Sequence, residues 1–232
     1  LVSISNNMDN KKIVMSLGGS LIVPEGIDTK FVKSFVSFIK EYVEKGYSFM
    51  LITGGGRLAR VYGDALKDVI QPSNFELDLL GISITKTNAE FIKICLGDLA
   101  YEGIIQDPDV IPETKKPVLV GGGWKPGNSS DLAAVHAAKS LGAKRVINLT
   151  NIDYVYDSDP NKNVNAKPIE NISWVDFLLL FPDNNWVPGA NRPFDPIASC
   201  EAQNDGQEVV IINGKNLENL GACIEGKKFV GT

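Results

Sequence analysis

The chain has 232 residues, 44% hydrophobic and 22% charged, with a formal net charge of −5. That length suits one large α/β domain, or one domain with two facing lobes. No run approaches ~18 uninterrupted apolar residues, which excludes a hydrophobic membrane-spanning helix, and no basic run exceeds a lysine pair, so a nucleic-acid-binding face is not expected. The first residues, LVSISNNMDNKK, lack the basic start, apolar core and small-residue cleavage site of a signal peptide. Cys95, Cys200 and Cys223 are far apart and form no CxxC, so neither a zinc site nor a disulfide framework is predicted. The expected compartment is the cytoplasm, and Cys95 is expected as a small buried thiol.

Short apolar runs alternate with helical patterns, the signature of a mainly parallel sheet covered by helices. Lys12–Leu17 reads as a strand stopping at Gly18-Gly19-Ser20. From 29 to 45, Phe31, Val32, Phe35, Val36, Ile39, Tyr42 and Val43 recur at helical spacing, and Gly46 ends the helix. Tyr47–Ile52 is a strand running into Thr53-Gly54-Gly55-Gly56, with a helix expected from about Arg57. Phe75 to Leu96 reads as one long helix, with Leu77, Leu80, Ile84, Asn88, Phe91, Ile92 and Cys95 along a stripe. Gly81 sits mid-stripe, and because an interior glycine costs about 1 kcal/mol, it predicts close packing against another backbone.

Pro117–Val120 is a short strand that empties into Gly121 to Gly123. Ser129 or Ser130 caps an alanine-rich helix ending at Leu141-Gly142. Arg145–Leu149 is a strand, followed by the polar turn TNIDYVYDSDP. Further on, Ser173–Phe181 reads as a helix with Trp174, Phe177 and Leu178 inward, Pro182–Pro193 as a loop, Asp195–Asn204 as a helix, Glu208–Ile212 as a strand and Leu217–Ile224 as a closing helix. A weak boundary near Thr114–Pro117 divides the single domain into lobes 11–116 and 117–232.

Three strands end in glycine-rich turns: LGGS at 17–20, TGGGR at 53–57 and GGGWKPGNSSD at 121–131. In a parallel sheet such turns cluster at the carboxyl edge, where ligands bind. Glycine lets backbone approach a phosphate, and the following helix N-terminus offers N–H groups and partial positive charge. Glycine also serves any tight turn, but three such turns at successive strand ends favour an anion site. There is no GxxxxGK[ST] and no GxGxxG opening a βαβ unit, so phosphate would be held by several converging loops. In the turn Thr150–Pro160 a base can stack on Tyr156 while Asn151 reads its edge; the alternative is a solvated polar connection.

Taken together, the blocks GGSLIVP, ITGGGRLAR, LDLLGI with TKTNA, GDLAY, KPG-SSD, LTNIDYVY-SDP and FDPIAS resemble the amino-acid-kinase superfamily, most closely its archaeal-type UMP kinases, from Ile13 to about Phe229. The resemblance implies a three-layer αβα sandwich with ATP and UMP laid across the carboxyl edge of the sheet. It implies that Gly18, Gly19 and Ser20 face the transferring phosphoryl group, that Gly55 touches the acceptor phosphate, and that Gly56 and Arg60 touch the ATP phosphates beside Ser16. Asp78 would bind the UMP ribose. Trp124, Lys125, Pro126, Gly127, Asn128, Ser129 and Ser130 would enclose the nucleoside, and Thr150, Asn151, Tyr156 and Asp159 would hold the adenosine. Asp153 and Asp195 resemble the acidic residues that organise catalysis. No protein-held metal is expected; Mg²⁺ would arrive with ATP. The resemblance also implies a homo-oligomer, commonly a hexamer.

The chain departs from the family pattern at four places. Many members carry Lys where this chain has Ser16, although some archaeal-type members also lack it; Tyr154 stands in place of a usual Gly, Lys86 of a usual Arg, and Trp124 of a smaller residue. Phosphoryl transfer needs positioning and charge neutralisation more than a general base. Backbone N–H groups at Gly18–Gly19 and Gly55–Gly56 are candidate donors and Arg60 the leading side-chain cation, with Lys125 and Arg192 in reserve; Arg57 reads equally as a solvated first-turn residue. His136, the sole histidine, and Trp174 and Trp186 are expected in surface or packing roles. Other acceptors (a carboxylate, a carbamate or isopentenyl phosphate) and a non-catalytic sensor or oxyanion store remain open on the same scaffold.

Overall fold

The computed structural model describes residues 11–160, 162–181 and 192–232. Trp186, most of the 182–193 loop and the first ten residues lie outside them. Five parallel strands form one sheet in the order β3-β2-β1-β4-β7. They are β1 (Lys12–Leu17), β2 (Ser48–Thr53), β3 (Val118–Gly121), β4 (Arg145–Thr150) and β7 (Glu208–Asn213). Their side chains are buried on both faces, as near-continuous apolar runs require, so helices must cover the sheet twice.

On one face Met15, Leu17, Phe49 and Leu51 pack against helices α2 (Thr29–Glu44), α4 (Asn74–Leu96) and α8 (Leu217–Ile224) through Phe35, Ile39, Ile92 and Leu220. On the other, Val14, Met50, Ile52 and Val146 meet Ala133, Ala134, Ala137 and Ala138 of α5 (Ser130–Leu141), whose small side chains bring the helix close to the sheet. Beside it, Val135 and Leu132 join Phe177 of α6 (Trp174–Leu180), Phe194, and Ala198 and Ala202 of α7 (Pro196–Asn204). The result is the expected three-layer αβα sandwich. Helix starts follow local chemistry: Asp28 caps α2, and Ser73 with Glu76 forms a reciprocal capping box on α4. No helix among the described residues is long and apolar enough to cross a membrane.

Four local features differ from expectation. A four-residue helix α1 (Gly19–Ile22) follows the first glycine turn. Val155–Tyr156 (β5) pairs antiparallel with Pro168–Ile169 (β6), where only a polar turn was foreseen. Gly81 does not meet another backbone: no described heavy atom lies within 4 Å of a Cβ placed there, because the first turns of α4 border an open cleft rather than the core. Cys95 is only half-buried, leaning on the core from α4; the fully buried thiol is Cys223.

Candidate active site

The second glycine turn opens helix α3 (Gly56–Val69), and its first residues form one wall of a cleft of about 420 Å³. Gly55 and Gly56 at the start of α3, Ser130 and Asp131 at the start of α5, and Asp195 and Pro196 at the start of α7 all line it. Three helix N-termini thus meet in one space, each with a partial positive end. That arrangement favours an anion.

Helix α4 is the spine that holds the loops in place. Its Asn88 donates from Nδ2 to the carbonyls of Gly54 (2.8 Å) and Gly55 (3.4 Å). Its Thr85 accepts at Oγ1 from the Gly123 N–H at 2.6 Å, while Thr53 donates to the Thr85 carbonyl at 2.8 Å. Nearer its start, Asp78 accepts at Oδ2 from the Gly127 N–H at 2.7 Å. Asp78, expected from the resemblance as a ribose ligand, tethers the 121–131 loop. Sequence reasoning misses the clamping role of Thr85 and Asn88; the signal that could have found it is a pair of polar residues among the apolar ones of a long helix.

The glycines have a second reason to be glycine. The Gly18 N–H donates to the Leu149 carbonyl and the Gly54 N–H to the Leu17 carbonyl, both at 2.9 Å. A Cβ on Gly18 would lie 2.6 Å from that Leu149 oxygen, and one on Gly19 would overlap the Gly56 amide and sit 2.6 Å from the Gly54 oxygen. The two turns are locked backbone against backbone. The Gly18 N–H is taken by the Leu149 carbonyl of β4, so it is not the free phosphate donor that was expected.

A residue missed in the sequence lies on the floor of the cleft. Asp131 accepts at Oδ1 from the Ser16 hydroxyl (2.8 Å) and at Oδ2 from the Asp195 N–H (3.2 Å), tying β1, α5 and α7 together. Part of its surface stays open to the cleft, yet dense protein around the carboxyl group pushes its pKa up to about 6; the neighbouring Asp195 charge pushes the same way, against the Ser16 and Asp195 hydrogen bonds. Its first-turn position made it indistinguishable from an ordinary solvated acid. Asp195 is 4% exposed and accepts the Ala198 N–H at Oδ1 (2.7 Å), capping α7, while its buried Oδ2 has no hydrogen-bond partner among the described residues. Burial raises its pKa too, opposed by the Ala198 N–H, the nearby Ser129 hydroxyl, the Ile197 N–H and the charge of Arg192.

Arg60, Lys67 and Arg192 bring positive charge to the cleft, Lys67 alongside Asp64 at 3.2 Å. Arg57 instead pairs with exposed Glu25 at 3.3 Å, the solvated first-turn role. Of the acceptor loop, Asn128, Ser129 and Ser130 line the cleft and Trp124 to Gly127 do not. Trp124 turns back onto His136 (ring centroids 4.9 Å apart), with Lys125 Nζ 3.6 Å above its ring. His136 meets Asp109 at 2.8 Å. Trp174 packs against Phe177 and Phe194 and donates to the Gln207 carbonyl.

The 150–160 turn lies apart from this cleft. Thr150 accepts at Oγ1 from the Ile152 N–H (3.1 Å), Tyr156 belongs to the small β5–β6 pair, and Asn151 and Asp159 are exposed. Asp153, foreseen beside Asp195, is exposed and accepts from Asn213 Nδ2 at 3.0 Å. None of these residues lines the cleft, nor do Ser16, Gly18, Gly19 or Ser20, although Ser16 reaches its floor through Asp131.

A sequence model described as "Amino acid kinase family" matches residues 11–213. A uridylate kinase from Thermococcus kodakarensis is 32% identical over 220 residues, covering 93% of this chain and 96% of the relative. One from Methanobrevibacter smithii is 31% identical over 224 residues, covering 95% and 97%. Among solved structures, the uridylate kinase from Archaeoglobus fulgidus superimposes with a TM-score of 0.78 at 25% identity, covering 95% of this chain and 97% of that one. Aspartate kinase from Synechocystis shares the fold, with a TM-score of 0.70 at 18% identity.

Proposed function

This chain belongs to the amino acid kinase family, and from that premise we propose that it is a UMP kinase, transferring the γ-phosphoryl group of ATP to UMP. The observation that carries the choice of acceptor is the end-to-end likeness to archaeal uridylate kinases, over nine-tenths of both chains. The cleft agrees with it, because three helix N-termini and Arg60 suit a phosphate, while Asn128 to Ser130 offer amide and hydroxyl groups to a nucleoside.

A phosphate oxygen of UMP attacks the γ-phosphorus in line, the bond to the bridging oxygen breaks and ADP leaves. The attacking phosphate is already an anion, so no general base is required. Gly55 and the first turn of α3 hold it, Gly56 and Arg60 meet the ATP phosphates, where Arg60 offsets charge on the equatorial oxygens, and the Thr150–Asp159 turn takes the adenosine. Removing one preorganised donor from such a site costs about 2.7–4 kcal/mol of barrier. Asp131 and the orphaned Oδ2 of Asp195 are hard oxygen donors that fit Mg²⁺; they would hold the ion, which when bound supplies positive charge to the ATP phosphates.

We also propose a homo-oligomer, for which the support is apolar side chains left exposed along α3 and α4, among them Val61, Tyr62, Val69, Phe75 and Leu79. Light scattering on purified protein tests it. For the activity, ADP release is measured with ATP and Mg²⁺ across UMP, dUMP, CMP, AMP and GMP and without acceptor. Turnover selective for UMP is expected; turnover with none would reject the reading.

A further inference from the structure

Gly81 stands inside the 23-residue helix α4, where a glycine weakens the helix relative to alanine. Its backbone does not call for glycine, because its φ is not positive. Packing does not call for it either: no described heavy atom lies within 4 Å of a Cβ built there. Gly63, on α3 across the cleft, is different, since a Cβ there would touch Leu77 Cδ2 at 3.7 Å. The space beside Gly63 is filled by this chain, and the space beside Gly81 is not. Asp78, Gly81, Ile82 and Thr85 follow the spacing of one helix face, and all four line the cleft. Asp78 and Thr85, to either side of Gly81, fasten to the Gly127 and Gly123 N–H groups, so the 121–131 loop runs along that face. From that loop Asn128 and Ser129 line the same cleft.

We propose that Gly81 is a specificity-determining residue, whose missing side chain leaves a slot against α4 for the nucleoside of the acceptor. The flat ring lies on helix backbone beside Ile82, with the amide of Asn128 and the hydroxyl of Ser129 within the same cleft for its polar edges. The inference rests on the UMP kinase reading and adds to it a residue that selects the acceptor by shape. A ring in contact with backbone is lifted away by any Cβ, and a leucine side chain would occupy the slot outright. Gly55, Gly56 and Arg60, which serve the phosphates, stand at the start of another helix, α3. Substitution at Gly81 therefore acts on acceptor affinity and leaves ATP binding alone.

The test pairs stability with kinetics in the full chain. Alanine is the better helix former, so Gly81→Ala should melt about 2–4 °C above wild type. Its KM for UMP should nevertheless rise ~3–10-fold. Gly81→Leu should raise KM for UMP, and the Kd for UMP measured by calorimetry without ATP, at least ~10-fold, with KM for ATP unchanged. Ser83→Leu, on the exposed face of the same helix, should leave KM for UMP as it is. A stabilised Gly81→Ala with the wild-type KM, or a Gly81→Leu that binds UMP within tenfold of wild type, would overturn the slot. So would a fall in melting temperature alongside the rise in KM, which marks a packing role, or a change of mass in light scattering, which marks a contact between copies. Wild-type protein that phosphorylates no monophosphate rejects the kinase reading and the slot with it; UMP turnover that Gly81→Leu does not impair rejects the slot alone.

Discussion

The acceptor cleft and the 150–160 turn follow the same kind of glycine- or polar-ended strand, yet they are built in opposite ways. The cleft is over-determined: Asn88, Thr85 and Asp78 clamp two loops to one helix, and its two carboxylates are tied to β1, α5 and α7. The turn combines local bonds, such as Thr150 with Ile152 and Asp157 with Lys167, with ties to the chain's last strand and end, from Asn213 to Asp153 and from the Val155 N–H to Thr232, and none of these reaches α4. A phosphoryl group in flight needs fixed donors, because a small misplacement there costs rate. A nucleoside held by stacking tolerates a softer frame. Substitutions in the cleft should therefore damage folding or chemistry, and those in the turn should damage ATP affinity alone.

Gly19→Ala is the strongest way to break that contrast. Its methyl group would overlap backbone that cannot yield, so about 3 kcal/mol or more of stability should be lost, read by urea unfolding or by failure to accumulate soluble protein. Asp195→Asn comes next: kcat should fall ~10²–10³-fold with the melting temperature nearly unchanged. If both quantities fell together, Asp195 would be a structural cap and nothing more.

Asp131 sharpens the comparison through pH. Its carboxyl pKa is raised to about 6 in the folded protein against an ordinary 3.8, so the folded state binds its proton more tightly. The penalty for burying the charge is complete above about pH 6 and is relieved as pH falls toward the unfolded value. Discounted for cleft solvent, it is about 2 kcal/mol. Wild-type stability relative to Asp131→Asn should improve by that amount between about pH 8 and pH 4, measured by chemical denaturation at each pH. A difference that is flat with pH would mean the carboxyl group is solvated like a surface acid.

Tyr156→Ala tests the softer side, raising KM for ATP ~3–10-fold with KM for UMP unchanged. Trp124→Ala has the smallest expected effect on catalysis. Since the indole packs on His136 and not into the cleft, KM for UMP should move less than ~3-fold while stability falls by about 1 kcal/mol. A larger change in KM than in stability would put the indole against the nucleoside after all.

The sheet and its main helices were legible because they depend on local signals. Lys12–Leu17 and Arg145–Leu149 are apolar runs long enough to read, and Ser129 and Gly142 mark the ends of α5 by their own chemistry. Helix α1 and the β5–β6 pair span two to four residues, too short for any periodicity to register. The glycine turns announced a binding edge, but whether a given glycine faces ligand or backbone is set by a partner far along the chain, as with Gly19 and Gly56. Asp131 illustrates the same limit: its meaning comes from Ser16, 115 residues earlier, and nothing in SSD alone separates it from a solvated first-turn acid.

The most direct test of the central claim follows the phosphoryl group itself. ATP labelled at the γ-phosphorus is incubated with the protein, Mg²⁺ and UMP, and the products are separated. Label recovered in UDP, in proportion to ADP formed and absent when UMP is omitted, is the predicted result. Label released only as inorganic phosphate, or retained in ATP while UMP goes unchanged, would contradict it.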